Sequence, residues 1–404
     1  MTSHTVPDSY DIPEDDATIA AALQDASIPT LMMSMVHMSG DASVLDGALR
    51  PAGAYINEYQ GYMSEEDKAA VRAQALQVIK DFRDSGCRLP AAPDANTIHR
   101  MMNFIVAQDV PEEYIPMMLE EMELDGCDQR SDDWGPEVPA QRREQHKVLV
   151  IGGGMSGVLA AIRLQEAGIP FLLIEKNSSV GGTWFENRYP GARVDVSNHL
   201  YSYSFEPAHH WTQYFAQQPE LQQYFEDVVK NHRLQTHIRL NTEVTRAIYN
   251  ESSKCWQVDT VDESGNTETH IVNSLISAVG QLNRPKLPDV PGVESFKGQW
   301  CHSADWDDNI DYRGKRVVLV GAGASAFQLA PAIAGEVEEL TIFQRKAPWM
   351  FETPIYHEQV PTGKKWCLQH LPFYTRWFRF LLFWCACDGA YDSVVVDSQW
   401  PHQD

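Results

Sequence analysis

A glycine-rich turn between a predicted strand and a predicted helix is the first part of the sequence that could bind a ligand. It follows the apolar run 147–151 and precedes the helical pattern 158–167. In such a turn the first glycine permits a tight bend, the second lets a pyrophosphate approach the backbone, and the third allows close helix packing. The amide groups of the helix N-terminus then bind the phosphates. The residues assigned to this dinucleotide contact are Gly152, Gly154, Met155, Ser156 and Gly157.

A carboxylate at the end of the next strand supports this assignment. Glu175 lies 23 residues past Gly152, directly after the apolar run 171–174, and Lys176 follows it. An acidic residue at this distance accepts hydrogen bonds from an adenosine ribose. A glycine turn alone is weak evidence, because it also occurs in α/β folds that bind no nucleotide. The strand, the helix and the acidic residue together favour a dinucleotide with an unphosphorylated ribose, such as FAD.

A second glycine-rich turn follows the apolar run 316–320, and it differs in the residue that comes after the next strand. That residue is Arg345, 24 residues past Gly321. A guanidinium group can bind a 2′-phosphate through two hydrogen bonds, whereas a carboxylate would repel it. An exposed surface arginine is the plainer interpretation, but the shared register with Glu175 favours NADPH. The residues assigned to this second site are Gly321, Gly323, Ala324, Ser325, Ala326, Gln328, Arg345 and Lys346.

Two dinucleotide sites in one chain imply transfer of a hydride from a nicotinamide to a flavin. The residues leave open whether the electrons then reach a disulfide, a quinone or oxygen. A disulfide reductase needs a redox-active cysteine pair, and the seven cysteines include no CxxC sequence. Their odd number and wide spacing also predict neither a disulfide framework nor a metal site.

The strands and helices on either side of the two glycine turns indicate a fold of the α/β class. Two Rossmann-like dinucleotide-binding modules, one for FAD and an incomplete one for NADP, follow an α-helical N-terminal extension. In that extension Ser64 begins a capping-box pattern, and apolar residues at positions 71, 75, 78, 79 and 82 mark one helical face. The predicted regions are the extension 1–124, an acidic linker 125–146, the first part of the FAD domain with a β-meander 147–284, a second linker 285–312, and the NADP domain 313–404.

The N-terminal extension is also rich in methionine. Eleven of the 13 methionines precede residue 123. Methionine packs adaptably against irregular surfaces, so its stripes have two interpretations. They form a small helical core, which is the plainer interpretation, or they dock on the flavin module or on a second subunit, as in a homodimer.

The charge of the chain excludes one class of partner. The formal net charge is −24, and residues 1–145 carry 17 of these excess negative charges, which argues against binding to nucleic acid. The first 16 residues lack the basic and apolar parts of a signal peptide, and the apolar run 380–387 is too short to span a bilayer. We therefore expect a cytoplasmic protein with neither a membrane nor a nucleic-acid partner.

The segment between the two modules carries a family fingerprint. Its sequence Phe296-Lys-Gly-Gln-Trp-Cys-His302-Ser-Ala-Asp-Trp306-Asp307 resembles the FxGxxxHxxxW[P/D] pattern of type I Baeyer–Villiger monooxygenases. The segments 181–184, 187–195 and 201–205 resemble the same family. Three short segments of the extension, 28–31, 37–41 and 81–86, resemble the helical extension of 4-hydroxyacetophenone monooxygenases. The related monooxygenases that oxygenate nitrogen or sulfur usually carry a tyrosine in place of Trp306, so they are the less favoured alternative.

The resemblance implies an FAD- and NADPH-dependent reaction of dioxygen with a ketone, an aryl ketone in the nearest subfamily, to give an ester. It implies that Asp195 orients the group that stabilises a peroxide, and that His302 couples the two modules. Family members continue beyond the position of residue 404 and place their catalytic arginine there, and neither Arg376 nor Arg379 matches its context. We therefore expect a truncated chain, which is a fragment, a truncated gene product or a protein that has lost oxygenation. The alternatives to an active monooxygenase are an inactive truncated chain and a non-catalytic cofactor-binding fragment that acts through its extension. The further flavin contacts assigned on this basis are Gly182, Thr183, Trp184, Asp195, Tyr201 and Val244.

Overall fold

The computed structural model describes residues 10–123, 128–130, 134–348, 350 and 352–391, so parts of the predicted extension, first linker and NADP domain lie outside the described residues. The described α-helices are α1 (Asp16–Ala22), α2 (Ile28–Ser39), α3 (Glu65–Asp84), α4 (Ala95–Val106), α5 (Ile115–Met122), α6 (Ala140–Glu144), α7 (Met155–Glu166), α8 (Thr183–Glu186), α9 (Gln218–Asn231), α10 (Ala324–Ala334), α11 (Thr362–His370) and α12 (Tyr374–Ala386). The described strands are β1 (Val148–Ile151), β2 (Phe171–Ile174), β3 (Ile238–Arg239), β4 (Thr242–Asn250), β5 (Cys255–Asp262), β6 (Thr267–Val272), β7 (Ser274–Ser277), β8 (Arg316–Val320) and β9 (Glu339–Phe343).

The chain forms two compact units. The first contains the described parts of Met1–Arg130, Asp195–Phe215 and Glu352–Asp404, and the second contains those of Ser131–Val194 and Ala216–Phe351. The first unit is helical. Its helix α3 begins as the capping-box pattern predicts, because the Ser64 hydroxyl accepts a hydrogen bond from the Asp67 amide at 3.1 Å. The predicted apolar face of α3 is confirmed, with positions 71, 75, 79 and 82 buried and position 78 half-buried.

The last two helices, α11 and α12, share one hydrophobic core with α1–α5. Trp377 of α12 is fully buried, and its indole N–H donates to His37 Nε2 of α2 at 2.9 Å. The hydroxyl of Tyr374 accepts from the Ser27 amide at 2.7 Å. The predicted region 313–404 is therefore divided, since its last part belongs to the helical unit. The reason is that α12 is apolar on most of its surface and needs packing partners on several sides.

The methionine stripes of the extension face this same core. Met32 and Met33 of α2 and Met101 and Met102 of α4 are fully buried within it. The plainer interpretation of the stripes, a helical core, is therefore confirmed, with α11 and α12 as additional members. Among the described residues, no helix has both the length and the apolar character needed to span a membrane.

The second unit is built on parallel strands. Its larger sheet has the order β3-β2-β1-β7, in which all neighbouring strands are parallel, and the antiparallel meander β4-β5-β6 follows β3 in the chain. Strands β8 and β9 form a separate parallel pair, joined by α10. Each of the two glycine turns lies between a strand and the helix that follows it. The predicted α/β class with two Rossmann-like openings is confirmed.

Candidate cofactor sites

The first glycine turn, between β1 and α7, has no room for a Cβ at its first and third glycine positions. Gly152 has φ +102°, and a Cβ there would lie 2.6 Å from the carbonyl oxygen of Ala278. A Cβ on Gly157 would overlap the carbonyl oxygen of Gly152. These two glycines therefore have the roles that the sequence predicts, a bend that L-residues rarely adopt and a close approach of helix to strand.

A second pair of glycines lies against this turn. Gly181 and Gly182 have φ +119° and +52°, and the Gly181 amide donates to the carbonyl of Gly153 at 2.9 Å. A Cβ on Gly182 would lie 2.8 Å from the Cα of Gly154. The two glycine segments thus meet backbone to backbone and leave a wall without side chains at the N-terminus of α7. A wall of this kind fits a pyrophosphate, which needs amide donors and close approach. We call it the glycine cradle.

The carboxylate of Glu175 closes one side of the glycine cradle. It is buried, with Oε2 2.5 Å from the Gly153 amide and Oε1 2.8 Å from the Asn177 amide. Each carboxylate oxygen has two acceptor positions, so both amide bonds leave capacity for a ribose hydroxyl. Lys176 has a different partner, since its ammonium group lies 2.9 Å from Oε1 of the half-buried Glu186.

The side chains that follow the cradle differ in exposure. Trp184 is buried, and its carbonyl accepts a hydrogen bond from the side-chain Nε2 of Gln218 at the start of α9. Thr183 is exposed. Val244 of β4 is half-buried and packs between the meander and the parallel sheet, against a core that includes Leu149. Its predicted contact with the flavin stays a prediction.

The second glycine turn, between β8 and α10, is open. Gly321 has φ +120°, and its amide donates to the carbonyl of Phe343 at the end of β9 at 2.9 Å. Within the described part of the chain, no heavy atom lies within 4 Å of a Cβ placed on Gly321 or Gly323, apart from their chain neighbours. Ala324 and Ser325 form the first turn of α10, and Ala326 occupies the third glycine position.

Arg345 and Lys346 lie just beyond β9, as the spacing predicts. Both side chains are exposed, and neither forms an ion pair with the residues that the structure describes. Two cations beside an open turn at a helix N-terminus suit a phosphorylated ribose. Gln328 of α10, which was assigned to the same nucleotide, instead has its side-chain amide bonded to Tyr189 and to the backbone of Arg193.

The remaining assigned residues lie at three places. Asp195 is exposed and Tyr201 is half-buried, and both belong to the helical unit. His302 begins a short 3₁₀ helix, Ser303–Asp305, where its Nδ1 accepts from the Ala304 amide at 3.1 Å, a local role that fits a linker. Trp306 packs with α10 and with Tyr189. The roles of Asp195 and Tyr201 at the flavin stay predictions.

Two arginines of α12 have a structural role that sequence reasoning missed. Nη1 of Arg379 lies 2.8 Å from the His199 carbonyl and 3.1 Å from the Leu200 carbonyl. Nη1 of Arg376 lies 3.0 Å from the Ser204 carbonyl. Burial lowers the pKa of His199 to about 3, so its imidazole is neutral and Arg379 supplies positive charge at these carbonyls. These bonds hold the segment that carries Tyr201 to α12. The sequence feature that could have indicated this role is a pair of arginines three residues apart in an apolar helix.

Comparison with known proteins agrees with this geometry. The profile of the family described as FMO-like, flavin-binding monooxygenase-like, matches residues 145–364. An "uncharacterized monooxygenase" of Sinorhizobium fredii is 33% identical over 387 residues, which are 96% of this chain and 57% of that protein. A Baeyer–Villiger monooxygenase of Pseudomonas aeruginosa is 43% identical over 209 residues, which are 52% of this chain and 39% of that protein. The chain thus spans about half the length of these relatives, or less.

Solved structures give the same result. The crystal structure of cyclohexanone monooxygenase from Rhodococcus sp. Phi1 bound to NADP+ has a TM-score of 0.51 at 35% identity, over 55% of this chain and 42% of that chain. A closed crystal structure of cyclohexanone monooxygenase has a TM-score of 0.52 at 33% identity, over 58% of this chain and 44% of that chain. With the family profile matching more than half of the chain, around both glycine turns, this chain belongs to the flavin-binding monooxygenase-like family.

Proposed function

We propose that this chain binds FAD at the glycine cradle and NADPH at the second glycine turn, as part of a Baeyer–Villiger monooxygenase. The observation that carries the proposal is the contrast between the two sites. A side-chain-free wall lies beside a buried carboxylate, Glu175, and an open turn lies beside two exposed cations, Arg345 and Lys346. Family membership and the names of the relatives support the same reaction.

At the first site the chain contributes amide donors and one carboxylate. The amides of Met155 and Ser156, in the first turn of the twelve-residue helix α7, point toward the cradle and bind the pyrophosphate of FAD. Glu175 accepts from the ribose hydroxyls, while its amide bonds to Gly153 and Asn177 keep it oriented. Thr183, Trp184, Asp195 and Tyr201 are the further flavin contacts that the family resemblance implies. FAD, when bound, accepts a hydride and then reacts with dioxygen.

At the second site the helix α10 and the two cations bind the nicotinamide nucleotide. The amides of Ala324 and Ser325 bind its pyrophosphate, and Arg345 and Lys346 bind its 2′-phosphate. His302, in the linker before β8, couples the two modules. We further propose that the substrate is an aryl ketone, that the product is an ester, and that the protein is cytoplasmic. A homodimer formed through the N-terminal helices would use surfaces other than the methionine stripes, which are buried in the first unit.

The test begins with binding and ends with product. Titration of FAD fluorescence with the 404-residue chain is expected to show saturable quenching, and NADPH is expected to bind about 10-fold more tightly than NADH. With NADPH, oxygen and an aryl methyl ketone, an active monooxygenase gives the ester, whereas a chain inactive in oxygenation gives hydrogen peroxide without ester. A protein that binds neither nucleotide, or that prefers NADH, would contradict the proposal. Sulfoxide from an aryl methyl sulfide without any ester would favour the alternative, an N- or S-oxygenating monooxygenase.

A further inference from the structure

The side-chain amide of Gln328 is engaged by the protein itself. Its Oε1 accepts from the Tyr189 hydroxyl at 2.8 Å and from the Arg193 amide at 3.3 Å. Its Nε2 donates to the Arg193 carbonyl at 2.9 Å. One primary amide thus pairs with both backbone polar groups of a single residue, as a neighbouring strand would. Both acceptor positions of Oε1 are occupied by these bonds.

The segment 192–194 needs such a partner on this side. On its other side, the Ala192 carbonyl accepts from the Gln218 amide at 2.9 Å, and the Val194 amide donates to the Ala216 carbonyl at 3.1 Å. Arg193 is buried, so its amide and carbonyl would be costly to leave without partners. Gln328 therefore completes the pairing of an extended segment from the side of α10.

The packing around this contact is as close as two backbones allow. Gly191 has φ +82°, and a Cβ there would lie 2.6 Å from the Gln328 carbonyl oxygen and 2.8 Å from Cβ of Ala332. Tyr189 and Ala192 are buried in one cluster with Leu329 and Ile333 of α10. The helix that starts at the second glycine turn is thus seated on the segment that follows the glycine cradle.

We propose that Gln328 is a positioning residue, which fixes α10 on the segment 189–193 and thereby sets the distance between the two nucleotide sites. This inference rests on the proposed function. The step it serves moves one hydride, with its electron pair, from NADPH to FAD and gives NADP+ and the reduced flavin anion. Because hydride transfer needs the donor carbon and the acceptor atom in near contact, a small shift of α10 slows it strongly. The nucleotide itself is bound by the open turn and by Arg345.

Hydrogen exchange tests the contact without any nucleotide. In Gln328→Leu, the backbone amide of Arg193 is expected to exchange about 10-fold faster or more, because its acceptor is gone. The matched control is Gln165→Leu, which removes a side-chain amide that donates to the His232 carbonyl at 3.0 Å in the same unit. Exchange at Arg193 is expected to be unchanged in the control. Equal exchange in Gln328→Leu and in the unsubstituted chain would overturn the proposal.

Stopped-flow reduction of the FAD-loaded chain tests the positioning role. In Gln328→Leu the limiting rate of flavin reduction is expected to fall about 10-fold or more, with the NADPH dissociation constant changed by less than about 3-fold. A weaker NADPH affinity at an unchanged limiting rate would assign Gln328 to nucleotide binding and overturn the proposal. If the unsubstituted chain is not reduced by NADPH, the proposed function fails, while the exchange experiment still decides about Gln328.

A milder variant covers the case in which Gln328→Leu does not fold. Tyr189→Phe removes only the hydroxyl bond to Oε1 and leaves the ring in its buried cluster. It is expected to change Arg193 exchange and the limiting rate of reduction in the same direction, by about 2- to 5-fold. No change in either quantity would contradict the role given to the amide.

Discussion

The two glycine turns share a sequence pattern, but their surroundings differ. At the first turn, a Cβ on Gly152, Gly157 or Gly182 would run into backbone atoms of neighbouring segments. At the second turn, a Cβ on Gly321 or Gly323 would meet nothing within 4 Å among the described residues, and the third glycine position holds Ala326. Both turns bond to the end of the next strand, since the Gly152 amide donates to the Ile174 carbonyl and the Gly321 amide donates to the Phe343 carbonyl. Among the described residues, only the first turn also meets a second glycine segment, through the bond from the Gly181 amide to the Gly153 carbonyl. The same glycine pattern thus occurs at two different kinds of turn. The first is closed and is shaped by backbone atoms, and the second is open and has exposed cations beside it.

The largest effect is expected at the third glycine position. Gly157→Ala places a methyl group on the carbonyl oxygen of Gly152, so the unfolding free energy should fall by about 3 kcal/mol and FAD binding should be lost. The matched change at the second turn is Gly323→Ala, where a Cβ meets nothing within 4 Å among the described residues, so it should cost less than about 1 kcal/mol through the N-cap preference. Urea unfolding of both variants measures the difference. Equal losses would show that the two turns are equally crowded.

The second effect concerns the choice of nucleotide at the open turn. Arg345→Ala should weaken NADPH binding by about 1.5–3 kcal/mol, the usual contribution of a charged hydrogen bond, and leave NADH binding nearly unchanged. Arg313→Ala is the matched control, because Arg313 lies in the same unit and pairs with Glu336 at 3.0 Å. Isothermal titration with both nucleotides gives the answer. A loss of the same size for NADH would remove the 2′-phosphate assignment.

The smallest effect is expected at the carboxylate of the glycine cradle. Glu175→Gln replaces one of the two carboxylate oxygens by an NH2 group, which donates and cannot accept. Either the Gly153 amide or the Asn177 amide then loses its acceptor and faces this NH2 group. FAD binding should weaken by about 1 kcal/mol. Glu336→Gln is the control, since Glu336 pairs with Arg313 on the surface of the same unit. If both variants bind FAD alike, Glu175 supports the turn without contacting the ribose.

The parts of the fold that follow local rules could be predicted. A strand, a glycine turn and a helix are adjacent in the chain, so their residues report directly on each other, and both turns lie where the sequence places them. The cap at Ser64 and the buried face of α3 are local in the same sense. The division of the C-terminal region was not predictable in this way. The apolar pattern of α12 indicates burial, but burial alone does not name the partner, and Trp377 and Tyr374 meet residues some 340 positions earlier.

Residue type and spacing by themselves determined the α/β class and the positions of the two glycine turns, because each depends on backbone conformation within about 25 residues. The different nucleotide preferences of the two turns stay predictions. The tertiary structure alone decided the partners of polar side chains. The side-chain amide of Gln328, a predicted nucleotide contact, bonds to Tyr189 and Arg193, which lie more than 130 residues away in the chain. Arg379 likewise bonds carbonyls at 199 and 200. A side-chain amide or guanidinium bonds whatever buried backbone group the fold brings near it, and no local pattern encodes that group.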